Sequence, residues 1–355
     1  MCGRFHGGPM LQCRVGLPIT FLAPLCARMK HRIFGPTGRN VSEVGLGCWQ
    51  LGGNWGGVSA ADAQATLFSA YENGVTFFDT ADVYGDGRSE KMVGEFLRTT
   101  KAEVFVATKL GRRGDPGWPA NFTGAAMRRH TEDSLRNLGV EALDLTQLHC
   151  IPFDELKRGE VFEVLGELKQ EGKIKAFGAS VETVAEALHC LEVPGLASLQ
   201  FIFNIFRQKA VAELLPQVKA KGVAFIVRLP LASGLLAGKY RADTTFPADD
   251  HRTFNRDGQA FNVGETFAGL PFVKGVELAD ALRGLVPAGL SLADFALRWC
   301  LDHDAVTSII PGARNPAQVR GNIRASELTP LPPELHARLR EFYAAEVAAN
   351  IRGPY

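Results

Sequence analysis

From residue 40 to residue 310 the chain alternates short apolar or β-branched runs with amphipathic stretches, and this alternation restricts its fold more than any single motif does. The runs cover residues 41–48, 76–79, 103–109, 144–148, 176–180, 199–202, 223–229 and 307–310, giving eight predicted strands. Between strands, Val161, Val164, Leu165 and Leu168 repeat at i, i+3, i+4 and i+7, the spacing of a helix with one buried face. Leu292, Phe295, Ala296 and Trp299 repeat it behind Ser291 and Asp294, an N-cap with an acidic first turn. Gly74, Gly172 and Gly222 each close a helical stretch before a strand, where a left-handed terminator is expected. Strand and helix alternating in this way call for parallel strands joined by right-handed crossovers. Eight such units in about 300 residues predict an α/β fold of the (β/α)8 TIM-barrel type.

A doubly wound sheet is the alternative, but its dinucleotide-binding version needs G-x-G-x-x-G after the first strand. The nearest run, Gly45-Leu46-Gly47-Cys48-Trp49-Gln50, lacks the third glycine. Gly234-Leu235-Leu236-Ala237-Gly238-Lys239-Tyr240 has neither the spacing nor the Ser/Thr of a phosphate-binding P-loop. Residues 241–271 break the rhythm with Pro247, the cluster Asp249-Asp250-His251-Arg252, and Phe246, Phe254 and Phe261. A long irregular loop after strand 7 is expected to hang over the face where barrel sites form.

Composition narrows the function. Thirty-nine Lys and Arg against 38 Asp and Glu leave a net charge of +1, so neither nucleic acid nor an anionic membrane is an expected partner. Seven cysteines, Cys2, Cys13, Cys26, Cys48, Cys150, Cys190 and Cys300, contain no C-x-x-C pair. No metal site is expected, and the sparse cysteines fit a reducing, cytoplasmic compartment. Residues 1–28 stand apart from the rest. Arg4 and Arg14 precede an apolar stretch at 15–27 that resembles a secretory signal, but Pro18 and Pro24 interrupt it and it is too short to span a bilayer. It is expected to be a disordered or non-native extension, with residues 29–355 forming a single barrel.

Side chains at the C-terminal ends of barrel strands share one mouth. The predicted strand ends bring Asp79, Tyr84 five residues on, Lys109 and His149 together. A phenol with an ordinary pKa of about 10 is a weak acid at neutral pH, and a neighbouring ammonium lowers that value by stabilising the phenolate. Asp79 can hold the lysine, and an imidazole beside the phenol can orient a carbonyl oxygen. A proton donor beside an oxyanion site is what carbonyl reduction requires.

The run Phe77-Phe78-Asp79-Thr80-Ala81-Asp82-Val83-Tyr84-Gly85, followed by Gly87-Arg88-Ser89-Glu90, resembles the signature of the aldo-keto reductases. The likeness continues in order through Ala107-Thr108-Lys109, Leu145-Thr146-Gln147-Leu148-His149, Gly178-Ala179-Ser180, Gln200 with Asn204, residues 230–239, and Ile310-Pro311-Gly312-Ala313-Arg314 with Gln318 and Asn322. It covers about residues 30–350. The resemblance implies an NADP(H)-dependent oxidoreductase that reduces a small aldehyde or ketone to an alcohol, or the reverse, with NAD(H) as a second possible cofactor. It implies Tyr84 as general acid, Lys109 as the group that tunes its pKa, Asp79 as the partner of the lysine, and His149 as the group orienting the carbonyl. Trp49, with Tyr84 and His149, would line the substrate mouth.

The same resemblance places the cofactor. Ser180 and Gln200 would hold the nicotinamide carboxamide, with Cys48, Trp49 and Asp79 nearby. Leu229, Pro230, Leu231, Ser233, Gly234 and Lys239 would cradle the pyrophosphate. Gly312, Arg314, Gln318 and Asn322 would take the adenosine end. Two positions depart from the family pattern: Val181 stands where many members carry Asn, and Arg228 where many have an aromatic stacked on nicotinamide, although a guanidinium plane also stacks. Asn315 before Pro316 independently reads as an N-cap and first helical residue, and a helix N-terminus favours anions. Two other functions compete. Regulatory NADPH-binding proteins resembling potassium-channel β subunits carry Asn at the His149 position, so His149 favours an enzyme. A Schiff-base aldolase built on Lys109 leaves residues 312–322 unexplained.

Overall fold

The apolar runs form strands that share hydrogen bonds side by side, and the sheet they make closes on itself. A computed structural model describes residues 29–53 and 57–355; the expectation for residues 1–28 falls outside them. The hairpin of β1 (His31–Ile33) and β2 (Asn40–Ser42) is antiparallel. The eight strands that follow are β3 (Leu46–Gly47), β4 (Phe77–Asp79), β5 (Phe105–Leu110), β6 (Leu145–His149), β7 (Phe177–Ser180), β8 (Leu196–Ile202), β9 (Ala224–Arg228) and β10 (Val306–Ile309). Each pairs in parallel with the next in sequence. First and last meet through parallel bridges between Val44 and Ile309 and between Gly47 and Gly312, with the Gly45 N–H donating to the Ile309 carbonyl at 2.8 Å. Closure removes both sheet edges and gives the expected (β/α)8 barrel.

The run at 41–48, expected as one strand, is two. Residues 40–42 leave the barrel to pair with β1, and only Leu46–Gly47 joins the wall. The break is local chemistry: the Ser42 N–H donates to Thr76 Oγ1 and the Thr76 N–H to Ser42 Oγ, both at 3.0 Å, so a side-chain exchange replaces the ladder there. Strand β8 begins at Leu196, three residues earlier than expected.

The helices follow their periodicity. Glu160–Gln170 buries Val161, Leu165 and Leu168. Leu292–Leu301 starts at Ser291, whose hydroxyl accepts from the Asp294 N–H in a reciprocal capping box. Gly74, Gly172 and Gly222 adopt φ of +85°, +75° and +64°, the left-handed terminators anticipated from their positions.

Two apolar layers fill the molecule. The larger lies between the strands and the surrounding helices. The smaller fills the N-terminal end of the barrel around Phe34, whose ring centre lies 5.4 Å from that of Phe77 and 4.7 Å from that of Phe105. Because all eight strands run the same way, Asp79, Lys109, His149, Ser180, Gln200 and Arg228 sit toward the opposite, C-terminal rim. After β9 the chain forms a 3-10 turn at Ala232–Ala237, then crosses residues 241–271 with only short helical pieces, His251–Phe254, Val263–Glu265 and Phe267–Gly269. Among the described residues no helix is long and apolar enough to cross a membrane.

Candidate active site

Strand β4 delivers Asp79 to the rim, and β5 delivers Lys109 beside it. Lys109 is almost wholly buried, so its ammonium must find partners inside the protein. Its Nζ donates to Asp79 Oδ1 at 2.5 Å, to the Thr80 carbonyl at 2.8 Å and to the Tyr84 hydroxyl at 3.2 Å, which uses all three of its donors. Burial works against the charge, but Asp79 and Tyr84 outweigh it and raise the lysine pKa above its ordinary value.

Tyr84 is held by its own loop. Thr80 Oγ1 donates to Ser89 Oγ at 2.8 Å, which donates to the Cys48 carbonyl at 2.9 Å. Thr108 Oγ1 donates to Glu90 at 2.6 Å. Gly85 presses on Gly52 so closely that a Cβ there would lie 2.0 Å from the Gly52 carbonyl oxygen, and its φ of +62° also favours glycine. The expectation that Lys109 sets the Tyr84 pKa below the ordinary value needs correction. Lys109 does pull it down, but burial is the larger effect and pushes it up to about 12.

His149 closes β6, with its ring 5.8 Å from the Tyr84 ring and at 82° to it. Burial first, then the charges of Arg112, Lys109 and Arg228, hold its pKa well below 6.5, so the imidazole is neutral. Its Nδ1 has no hydrogen-bond partner among the described residues. Trp49 stacks against Tyr84 at 5.8 Å and 19°, with His251 at 4.7 Å and Phe261 at 6.1 Å, making an aromatic rim. Cys48 is buried with its thiol directed to the Leu46 carbonyl, and its backbone N–H donates to the Asp79 carbonyl at 2.8 Å.

The second oxygen of Asp79 accepts from Gln200 Nε2 at 2.7 Å and from Gln147 Nε2 at 3.4 Å. Gln147 lies in the run that carries the family resemblance, but the sequence reading gave it no role. Its signal is the two-residue repeat along β6, which turns it and His149 to the same face. Ser180 Oγ donates to Gln200 Oε1 at 3.5 Å, so both groups expected to hold a carboxamide are adjacent. Val181 is buried and adds no polar contact of its own side chain. Arg228 Nη2 donates to the Val181 carbonyl at 3.2 Å and lies 3.3 Å from Cys150 Sγ, while its buried Nε has no partner among the described residues.

Beyond β9, Leu229, Ala232 and Ser233 take φ of +53°, +48° and +54°, and Gly234 +97°. Three non-glycine residues in the left-handed region within five positions are costly and cluster where function demands them. A Cβ on Gly234 would meet the Tyr240 hydroxyl at 2.3 Å. Pro230 is buried and Leu231 half-buried between these turns. Ser233 Oγ donates to the Glu265 carbonyl at 3.3 Å and accepts from the Phe267 N–H at 3.1 Å, joining this stretch to the long loop. Lys239 is exposed and has no hydrogen bond or ion pair among the described residues.

At the end of β10, Gly312 lies against Gln50, whose side chain would meet a Cβ there at 2.0 Å. Asn315 caps helix Pro316–Glu327 by accepting from the Gln318 N–H at 3.0 Å. Gln318 Oε1 accepts from the Arg314 N–H at 2.8 Å, and Asn322 Nδ2 donates to the Gly312 carbonyl at 3.2 Å, so both side chains brace the turn itself. The Arg314 guanidinium has no hydrogen bond or ion pair among the described residues. Sequence reading also missed Arg112, Glu182 and Glu265, which lie far apart in the chain. Cys150, Glu182 and Glu265 bring potential metal-ligand atoms within 4.8 Å of one another, but Arg112 and Arg228 already supply positive charge there.

Residues 43–344 match the family model described as the Aldo/keto reductase family. The chain belongs to this family. It is 31% identical to the aldo-keto reductase YhdN of Bacillus subtilis over 309 residues, which covers 85% of this chain and 89% of that protein. Among solved structures it is similar to the glycerol dehydrogenase AKR11B4 of Gluconobacter oxydans, with a TM-score of 0.74, 32% identity, and coverage of 93% of this chain and 99% of that one. An aldo-keto reductase from Klebsiella pneumoniae solved in complex with NADPH has a TM-score of 0.63 and 25% identity, over 88% of this chain and 94% of that one.

Proposed function

We propose that this member of the aldo-keto reductase family is an NADP(H)-dependent oxidoreductase that interconverts a small aldehyde or ketone with its alcohol, and that Tyr84 is its proton donor. The observation that carries this reading is the hydrogen-bonded series Asp79–Lys109–Tyr84 with the neutral His149 ring beside it. A carbonyl oxygen placed between the Tyr84 hydroxyl and His149 accepts hydrogen bonds from both. As negative charge grows on that oxygen, the Tyr84 proton passes to it. The Lys109 ammonium stabilises the charge left on the phenol oxygen, and Asp79 keeps the ammonium in place. His149 must donate as a neutral group, and its low pKa keeps it so. When bound, the dinucleotide supplies the hydride for the carbonyl carbon.

The residues present fit a dinucleotide. Ser180 and Gln200 offer adjacent polar groups for a carboxamide, and Arg228 offers a flat guanidinium with a free N–H. The turns from Leu229 to Gly234, followed by the exposed ammonium of Lys239, suit a pyrophosphate. The capped N-terminus at Asn315 and the unpaired Arg314 suit a 2′-phosphate. The test is loss of NADPH absorbance on mixing with a panel of aldehydes and ketones. Turnover supports the reading. Tight NADPH binding without turnover of any carbonyl would overturn it in favour of a regulatory binding protein.

A further inference from the structure

Outward from Tyr84 and His149 the mouth has two unlike walls. One is aromatic, formed by Trp49 over Tyr84 and Phe261 set edge-on to Trp49. The other is an ion pair. Arg112, just past β5, donates from Nη1 to Glu265 Oε1 at 2.9 Å, and its guanidinium lies 5.5 Å from the centre of the Phe261 ring. Glu265 comes from the long loop after β9, and its other oxygen lies 4.0 Å from Arg228 Nη1. Both side chains are largely buried, Arg112 with 18% of its surface accessible and Glu265 with 8%. Their charges reach the chemistry, since Arg112 acts on His149 and Glu265 on Tyr84.

We infer that Arg112 and Glu265 form the specificity wall of the substrate mouth, selecting carbonyl compounds that carry hydroxyl groups beside the carbonyl over hydrocarbon aldehydes of the same length. This rests on the oxidoreductase reading. A substrate with its carbonyl oxygen between Tyr84 and His149 extends its remaining carbons along these two walls, which meet where the Arg112 guanidinium lies over the Phe261 ring. A hydroxyl group both donates and accepts, and the pair offers both complements, since Arg112 has guanidinium N–H groups beyond the one given to Glu265, and a carboxylate accepts at several sites. A hydroxylated chain therefore exchanges water for protein hydrogen bonds, with its C–H edges against the aromatic wall. A hydrocarbon chain strips water from the pair and returns nothing, and polar groups built to bind hydroxyls discriminate strongly against analogues that lack them. The wall is not an anion site, because the Arg112 charge is already matched by Glu265.

Glyceraldehyde and propanal have three carbons each and differ in their hydroxyl groups, so the ratio of their kcat/KM values reads the wall. Effects on His149 or Tyr84 act on both substrates and cancel in the ratio. The expected ratio favours glyceraldehyde by at least about tenfold. Arg112→Met and Glu265→Gln, made separately, are expected to bring it toward one, and Arg112→Lys to leave an intermediate value. If Arg112→Met fails to fold, the other two decide. A second readout needs no turnover: ligand-observed NMR of the protein with glycerol or 1-propanol should show saturation transfer to glycerol that Glu265→Gln removes. A wild-type ratio near one, or a ratio that none of the variants moves, overturns the inference while leaving the reductase reading intact. Absence of turnover with every carbonyl, alongside a glycerol signal that depends on Glu265, would overturn the reading and keep the hydroxyl-binding wall.

Discussion

At Tyr84 two effects oppose each other: burial pushes the phenol up to about 12 and Lys109 pulls it down. The phenol therefore stays protonated through the neutral range, and His149 stays neutral because its pKa lies well below 6.5. In the proposed mechanism reduction needs both states. Its kcat/KM is expected to show no acidic limb near 6.5 and no decline until strongly alkaline pH, whereas alcohol oxidation, which needs the phenolate, should climb with pH across the same range. Rate profiles in both directions check this, and a reduction limb centred near 6.5 would mean that His149 titrates as an ordinary histidine. Tyr84→Phe keeps the ring but removes the proton, so kcat should fall at least about 10²-fold with NADPH affinity unchanged by fluorescence titration. Retained turnover would remove Tyr84 from the role. Arg314→Ala should weaken NADPH binding by about 1.5–3 kcal/mol and hardly touch NADH, and equal losses for both would show that Arg314 does not read the 2′-phosphate. Asp79, Tyr84, Lys109 and His149 were legible in the sequence because strand ends of a barrel converge. The direction of the Tyr84 shift was not, because it depends on burial. Nor was the hydrogen bond from Gln200 to Asp79, which joins residues from opposite parts of the barrel wall.

Among elements, the strands and the capped helices were readable because each is fixed by local periodicity and by residues such as Ser291 and Gly222. The split of residues 41–48 was not, since it turns on an exchange between Ser42 and Thr76. Contacts of the long loop were also hidden, because its partner is the C-terminal segment. The backbone N–H and Nε of Arg352 both donate to the Gly269 carbonyl at 3.0 Å. Its Nη2 reaches the carbonyls of Leu270 and Arg256, both at 3.2 Å, and Nη1 pairs with Asp257 at 2.5 Å. Tyr355 covers Arg207 at 4.3 Å, and Arg207 in turn donates to the Ala268 carbonyl at 3.2 Å. Phe267 and Ala268 have φ of +53° and +57°, so this bend needs support from its surroundings. Arg352→Ala is expected to cost about 1–3 kcal/mol, with faster amide exchange and protease cleavage confined to residues 256–270. Loss of stability without that local change would mean the C-terminal segment does not hold the loop.

For the whole molecule, the candidate site sits at one end of the barrel and the Phe34 plug at the other. Phe34 is fully buried against Phe77 and Phe105, and the strands around it contribute the small Ala107, Ala197 and Ala224, which leave room for its ring. Gly35 follows at φ +49°, so close to the wall that a Cβ would stand 2.7 Å from the Ala197 carbonyl oxygen and 2.8 Å from the Ala224 nitrogen. The turn of the β1–β2 hairpin is thus pressed into the barrel base. Phe34→Ala leaves a cavity that the closed wall cannot collapse to fill, so the cost should lie near about 3–5 kcal/mol. In barrels of this type the N-terminal face serves stability and the C-terminal face function. The fraction that remains folded should therefore keep its NADPH affinity and its kcat/KM. Denaturant midpoints of wild type and Phe34→Ala measure the first expectation, and assays at low temperature, well below the unfolding transition, measure the second. A variant that kept its midpoint but lost activity would show that the base is coupled to Tyr84 and Lys109. Since Phe77 contacts Phe34 and lies two residues before Asp79 on β4, that strand is where such coupling would have to run.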